Sequence, residues 1–265
     1  MLMQISRRAY GVSWIVVGGT AVASVIGLLY PDHLYPTAEL RQSYLTNDVI
    51  NLIIGLSIIL IAIWLAWRGR LLGLLLWPGA MLYGLYNYIA YVVGLPFGWS
   101  TLLYLVIVLG SGLAIFDVLK SIDVQPVAAR LADAVPVKTS GWILLLFGLL
   151  FFLRAVSMVA DAVVARTGLP VSEQGVVIAD ILISPLWMAG GMLLLRRKPW
   201  GYVGGLGLLF AASMLFIGLI GLLLLQPFFT EAAFALTDVL VVAAMGLICF
   251  VPFALFARGV AKSEM

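Results

Sequence analysis

The stretch FGLLFFLRAVSMVAD, residues 147–161, sets Arg154 among phenylalanines and leucines. Apolar residues continue on both sides over about 141–164. At 1.5 Å per residue that run is long enough to cross a hydrocarbon core of roughly 30 Å. The stretch therefore reads as a membrane helix, and an arginine at that depth is costly unless it meets a partner. Two questions follow: how many such helices the chain holds, and what Arg154 meets.

Across its 265 residues the chain is 64% hydrophobic and only 10% charged, against about 25% charged in soluble domains. The apolar runs are continuous rather than alternating, which fits helices and excludes a β-barrel. Eight spans are predicted, at about 12–30, 48–67, 71–94, 100–119, 141–164, 174–195, 200–225 and 232–257. The expected class is all-α, a polytopic transmembrane helix bundle.

Charge orients the bundle. Arg7, Arg8, Arg68, Arg70, Lys120, Arg130, Lys138, Arg196, Arg197, Lys198, Arg258 and Lys262 fall on one side of these spans. The other side carries Arg41 and Arg166 with Asp32, Glu39, Asp48, Glu173 and Glu231. Because basic residues favour the cytoplasmic loops, both termini are expected in the cytoplasm and the chain in the cell membrane. The start RRAYGVSWIVVGGTAVAS also has signal-peptide features, with an Ala21-x-Ala23 step. Its apolar run continues to Tyr30, and the reading kept is a retained first span.

The net charge of +3 comes from basic residues scattered over short loops, so no nucleic-acid partner is expected. Cys249 is the only cysteine and His33 the only histidine, which leaves no disulfide, no CxxC pair and no multi-histidine metal site. No cofactor is expected. The lipid bilayer is the first partner.

Two halves are weakly alike at an offset of 128 residues. Trp14 matches Trp142, and RGRLLG, with Arg68, Arg70 and Gly73, matches RRKPWG, with Arg196, Lys198 and Gly201. Four spans per half would relate the halves by an axis along the membrane normal. The expected organisation is a first half over 1–120, a cytoplasmic connector over 121–140 and a second half over 141–265. In the connector, SIDVQPVAARLADAVPVKTS, Asp123 is placed to cap a short helix with Val127, Leu131, Ala134 and Val135 on one face. That helix is read as a plain connector first and as an interfacial helix second.

A polar layer falls in the outer half of the bundle. Arg154, Asp180, Asp238 and Asn87 each lie some seven to ten residues inside a predicted outer end, with Asp161 and Asp48 nearer the surface. Asp180 and Asp238 are the preferred partners of Arg154, since its planar fork can bridge two carboxylates. Asp161 lies seven positions along the same helix. Asp48, just before VINLIIGL, reads first as a cap of its helix start. Tyr83, Asn87 and Tyr91 share one face; Tyr83 and Asn87, with Asn51, are expected to line a cavity. Tyr88 and Tyr91 read as interfacial belt anchors. The glycines of GYVGGLGLL read as close helix packing rather than a dinucleotide loop.

The stretches NDVINLIIGL, ADILISPLWMAGG and RRKPWGYVGGLGLLFAASMLFIGLIGLLLLQP resemble an uncharacterised family of prokaryotic multispanning membrane proteins. The resemblance implies no activity, ligand or catalytic residue. No span holds a deep lysine for a retinal Schiff base, and no HExxH or GxSxG occurs. Three functions fit a polar layer of this kind. The leading one is binding or transport of a small polar or anionic ligand. The others are an accessory or assembly subunit without a ligand, and an intramembrane lipid-modifying enzyme using the aspartates as acid and base. No catalytic residue is assigned, and a non-enzyme is the reading preferred.

Overall fold

The computed structural model describes residues 6–264, and those residues form helices and turns with no strand among them. In chain order the elements are α1 (Arg7–Leu29), α2 (Pro31–Leu34), α3 (Ala38–Trp67), α4 (Leu71–Gly94), α5 (Trp99–Lys120), α6 (Val124–Leu131), α7 (Val137–Ala165), α8 (Val171–Leu195), α9 (Pro199–Phe229) and α10 (Leu236–Ser263). Seven of the eight long helices are both long and apolar enough to cross a membrane. The chain is thus compatible with an integral, multi-pass membrane protein.

The long helix outside that set, α4, is the centre of the bundle, packing on α3, α5, α8, α9 and α10. Its lower hydropathy has a direct cause: Trp77, Pro78, four tyrosines and Asn87 replace aliphatic residues on a helix largely enclosed by the others. Most of its side chains are buried, including Trp77, whose indole N–H donates to Ser13 Oγ at 3.1 Å.

Helix ends follow local chemistry. Ser6 accepts from the Ala9 amide and starts α1, and Thr37 accepts from the Leu40 amide and starts α3. Because of that cap, α3 begins ten residues before the predicted start, and Asp48 lies inside the helix. The expectation that Asp48 caps a helix start is therefore corrected. Two π-helical turns, Arg41–Leu45 and Asn51–Gly55, interrupt α3. Such turns are rare and cluster at functional sites.

The turns after α3 and α8 have one geometry. Gly69 and Arg197 both take the left-handed conformation, at φ 76° and 51°. Arg70 N–H donates to Leu65 O at 3.0 Å, as Lys198 N–H does to Leu193 O at 2.9 Å. A Cβ at Gly73 would overlap the backbone of Ala66, and one at Gly201 that of Leu194. Eight residues in from their starts α4 and α9 cross at Gly79 and Gly207, where a Cβ on Gly79 would overlap the Gly207 backbone and one on Gly207 would press on Leu75 O and Gly79 N. The glycines thus set helix spacing, as small residues do between membrane helices.

Contacts also define the two ends. At one end Arg8 pairs with Asp117 at 3.1 Å, Arg70 with Glu264 at 3.3 Å, and Arg130 Nε–H donates to Ser263 O at 2.6 Å. At the other, Arg41 pairs with Asp32 at 2.7 Å and Ser172 bonds to Glu39. The connector helix α6 belongs to the first end. Val127 and Leu131 are fully buried, and α6 packs on α9 and α10. Its apolar face is therefore inside the bundle, where an interfacial helix would turn it to lipid. Asp123 precedes α6 but makes no side-chain capping bond.

Candidate functional site: a two-walled cavity around Arg154

Arg154 sits about eleven residues from the end of α7, on the side that faces α8. One guanidinium N–H donates to Asp180 Oδ2 at 3.3 Å, and Asp180 is completely buried. The Tyr86 hydroxyl of α4 donates to the other carboxylate oxygen at 2.7 Å. The second carboxylate near Arg154 is Glu173, in the first turn of α8, with Oε2 3.6 Å from Nη1. That is an ion pair but too long for a hydrogen bond. The remaining donors are underused: Nη1 reaches Met158 Sδ at 3.7 Å, and Nε has no partner.

Beside this group lies a cavity of about 560 Å³. Its polar wall is made by Ser43, Tyr44 and Asn47 of α3, Tyr83, Tyr86, Asn87 and Tyr91 of α4, Arg154 of α7, and Ser172 and Glu173 of α8. Facing it, α9 and α10 contribute only Leu215, Phe216, Gly218, Leu219, Leu222, Val242 and Met245. Toward the basic end an aromatic layer closes the floor. Phe147 packs edge-on to Trp187 at 4.9 Å and lies 6.0 Å from Phe216, which meets Phe250 at 6.4 Å.

Within the polar wall, Asn87 Nδ2 donates to Tyr83 O at 3.1 Å and Asn47 Nδ2 to Tyr91 Oη at 3.2 Å. The Tyr83 hydroxyl is different. Tyr83 is 3% exposed and its Oη has no hydrogen-bond partner. Gly218 makes room for it, since a Cβ there would come within 2.9 Å of the oxygen. The ring of Tyr83 lines the cavity, while its oxygen is enclosed against Gly218, a buried polar atom left without a partner.

A second polar centre adjoins the first. Asp48 is fully buried and accepts from the hydroxyls of Tyr35 and Tyr91, the latter at 2.9 Å. Tyr44, Tyr88 and Tyr104 surround it in a stacked and edge-on cluster. Gly27 of α1 is the reason the carboxylate fits, because a Cβ there would overlap Asp48 Oδ2. Burial, with Asp48 beside it, pushes the Tyr35 phenol above the usual tyrosine range, so it stays a donor. Tyr88 and Tyr91 are each 1% exposed. They are core residues of this cluster, which corrects their reading as belt anchors.

Of the residues singled out from sequence, Arg154, Asn87 and Tyr83 line the cavity, and Asp180 lies behind Arg154. Asn51 does not line it: the side chain is buried near Gly55 and Tyr83, with its amide N–H groups unpartnered. Asp238 is not a partner of Arg154. Residues 230–235 are not helical, so α10 starts late and Asp238 falls in its first turn, exposed. Asp161 is also exposed and makes no ion pair among the described residues. Glu173 takes the second carboxylate position; sequence reading treated it only as a loop charge. Tyr86, Ser43, Tyr44 and Asn47 were likewise missed, although Tyr86 stands three residues from Tyr83 and so on nearly the same face.

Comparison with protein-family models, curated proteins and solved structures finds no match.

Proposed function

We propose that the chain is an eight-span protein of the cell membrane that binds a polar ligand in the cavity beside Arg154, open to the outer side. The observation that carries this is the set of unspent groups on one wall. Arg154 and Glu173 both line the cavity, each with 39% of its side chain exposed, and they are held to each other at ion-pair distance only, 3.6 Å. Buried polar atoms are normally satisfied, and intramembrane charges mark function by default. A purely structural Arg–Asp pair needs none of this, nor an empty volume of about 560 Å³ beside it.

The same reading makes α4 the third of eight spans, in spite of its lower hydropathy, and puts both termini in the cytoplasm. Supporting it, the basic side chains gather at the Arg8–Asp117 and Arg70–Glu264 end. Basic residues are retained on the cytoplasmic side. The cavity, at the Glu39–Ser172 end, then faces outward.

A parallel repeat of two four-span halves is part of the proposal. Helix α3 ends at Trp67 and α8 at Leu195, α4 starts at Leu71 and α9 at Pro199, all 128 apart. Gly79 and Gly207, also 128 apart, meet each other. Equivalent positions touch in this way on a two-fold axis. Rocking of the halves about that crossing would open the aromatic floor and turn binding into alternating access.

The experiment is cysteine accessibility in sealed, right-side-out vesicles, in a Cys249→Ser background. Ala90 lines the cavity, whereas Ala80, on the same helix, is fully buried away from it. A membrane-impermeant maleimide added outside labels Ala90→Cys and spares Ala80→Cys. Equal inertness of the two sites, or labelling of Ala90→Cys only from the inside, contradicts the proposal.

A further inference from the structure

The cavity's two walls differ in chemistry, and its third side is open. Every polar lining residue comes from α3, α4, α7 or α8, and α9 and α10 add none. A compact polar solute would press half its surface against leucine, phenylalanine and methionine and leave that half without hydrogen bonds. Three lining residues, Leu150 of α7, Leu219 of α9 and Met245 of α10, are 54%, 43% and 45% exposed. They are the places where the cavity wall is also the outer surface of the bundle. With α7, α9 and α10 read as membrane spans, side chains exposed on that flank lie against the bilayer.

The charges narrow the head group. One cation, Arg154, stands against two carboxylates, Asp180 and Glu173. Asp180 is committed to Arg154 and Tyr86. Glu173 is not committed, and its side chain is as exposed as that of Arg154, 39% each. A bare anion on the guanidinium would be repelled by the Glu173 carboxylate, which stands 3.6 Å from it. A bare cation would meet Arg154. A head with both signs can put its anionic group on Arg154 and its ammonium on Glu173, replacing the 3.6 Å contact between the two side chains.

We infer that the ligand is a zwitterionic amphiphile, its head held between Arg154 and Glu173 and its hydrocarbon chain leaving between α7, α9 and α10 into the bilayer. This rests on the reading of the cavity as a ligand site. It adds the class of ligand and the route by which it arrives, sideways from the outer leaflet. Binding draws on two separate sources: apolar area along Leu150, Leu219 and Met245, and charge-assisted hydrogen bonds at the head. Neither half of the ligand alone satisfies both walls.

The test uses the Ala90→Cys chain in nanodiscs of phosphatidylglycerol and follows the rate of maleimide labelling. Three probes are added in turn: a single-chain zwitterionic phospholipid, its anionic phosphatidylglycerol counterpart, and the soluble glycerophosphocholine head. The inference predicts that the zwitterionic lipid slows labelling about tenfold. The anionic lipid and the soluble head slow it less than about twofold. Glu173→Gln removes most of the zwitterion's protection, and Leu219→Trp, which fills the chain's exit, removes it without touching the head. Equal protection by the soluble head overturns the lipid chain, and equal protection by the anionic lipid overturns the zwitterion. Labelling that no probe slows overturns the ligand class while the cavity stands. Failure of Ala90→Cys to label at all removes the cavity reading itself.

Discussion

Removing either member of the Arg154–Asp180 pair has unequal consequences, and the inequality can be worked from burial. Asp180 is fully buried; the Arg154 side chain is 39% exposed and has Glu173 at 3.6 Å. At 3.3 Å, with an effective dielectric of about 20, the Coulomb attraction is on the order of 5 kcal/mol before desolvation is subtracted. Arg154→Met leaves a buried carboxylate with only the Tyr86 hydroxyl. That puts its cost at the low end of the range for breaking a buried pair, about 3 kcal/mol. Asp180→Asn keeps the shape and the Tyr86 contact, while Arg154 turns to Glu173 and the open cavity, for about 1 kcal/mol. The double variant buries no charge and costs about 2–3 kcal/mol less than the two singles added. Thermal unfolding in one detergent, with all variants side by side, reads this as a gap of about 5 °C between the singles. Asp180→Asn as costly as Arg154→Met, or single effects that simply add, refutes the reasoning.

Other expectations follow from the same geometry. Tyr83→Phe deletes a buried hydroxyl that has no partner, so stability in thermal unfolding holds or rises by up to about 1 kcal/mol. Gly27→Ala drives a methyl into Asp48 and Tyr35 and lowers stability by more than about 2 kcal/mol. Gly18→Ala on the same helix meets nothing within 4 Å and holds or gains about 0.5–1 kcal/mol from helix propensity; equal losses at the two sites contradict the Asp48 pocket. Gly69→Ala, at φ 76°, costs about 1 kcal/mol, and Arg197→Gly, at φ 51°, relieves a comparable strain. Opposite signs for these two substitutions in thermal unfolding check that the turns are equivalent.

How far the molecule can be read from its sequence depends on the physics at each place. Helix α4 was predicted at 71–94 and runs Leu71–Gly94, because Arg70 and the Gly94-Leu95-Pro96 step interrupt the apolar pattern sharply. The start of α3 was placed ten residues late, because Thr37 caps a polar first turn, Ala38-Glu39-Leu40-Arg41, that hydropathy does not register. Arg154 and Asp180 stand out in sequence as isolated charges within apolar runs, and their depth is fixed by helical rise alone. Asp238 carries the same signal, yet its depth depends on where α10 begins, and residues 230–235 form no helix. Glu173 carried the weaker signal of an ordinary loop acid, and only the packing of α8 on α7 turns it toward Arg154. The tyrosine cluster around Asp48 was legible as residues but not as a core, since tyrosine serves equally at membrane boundaries and in buried networks. Gly27, Gly79 and Gly207 gave no sign of what they make room for, because that depends on the facing helix.

The most direct measurement is an experimental structure of the chain in a nanodisc that contains a zwitterionic phospholipid. The account predicts elongated density whose head contacts both Arg154 and Glu173 and whose tail passes Leu219 and Met245 into the bilayer. Helices α7, α9 and α10 packed tightly together beside Arg154, with no volume between them and the guanidinium sealed on Asp180 and Glu173, would contradict it.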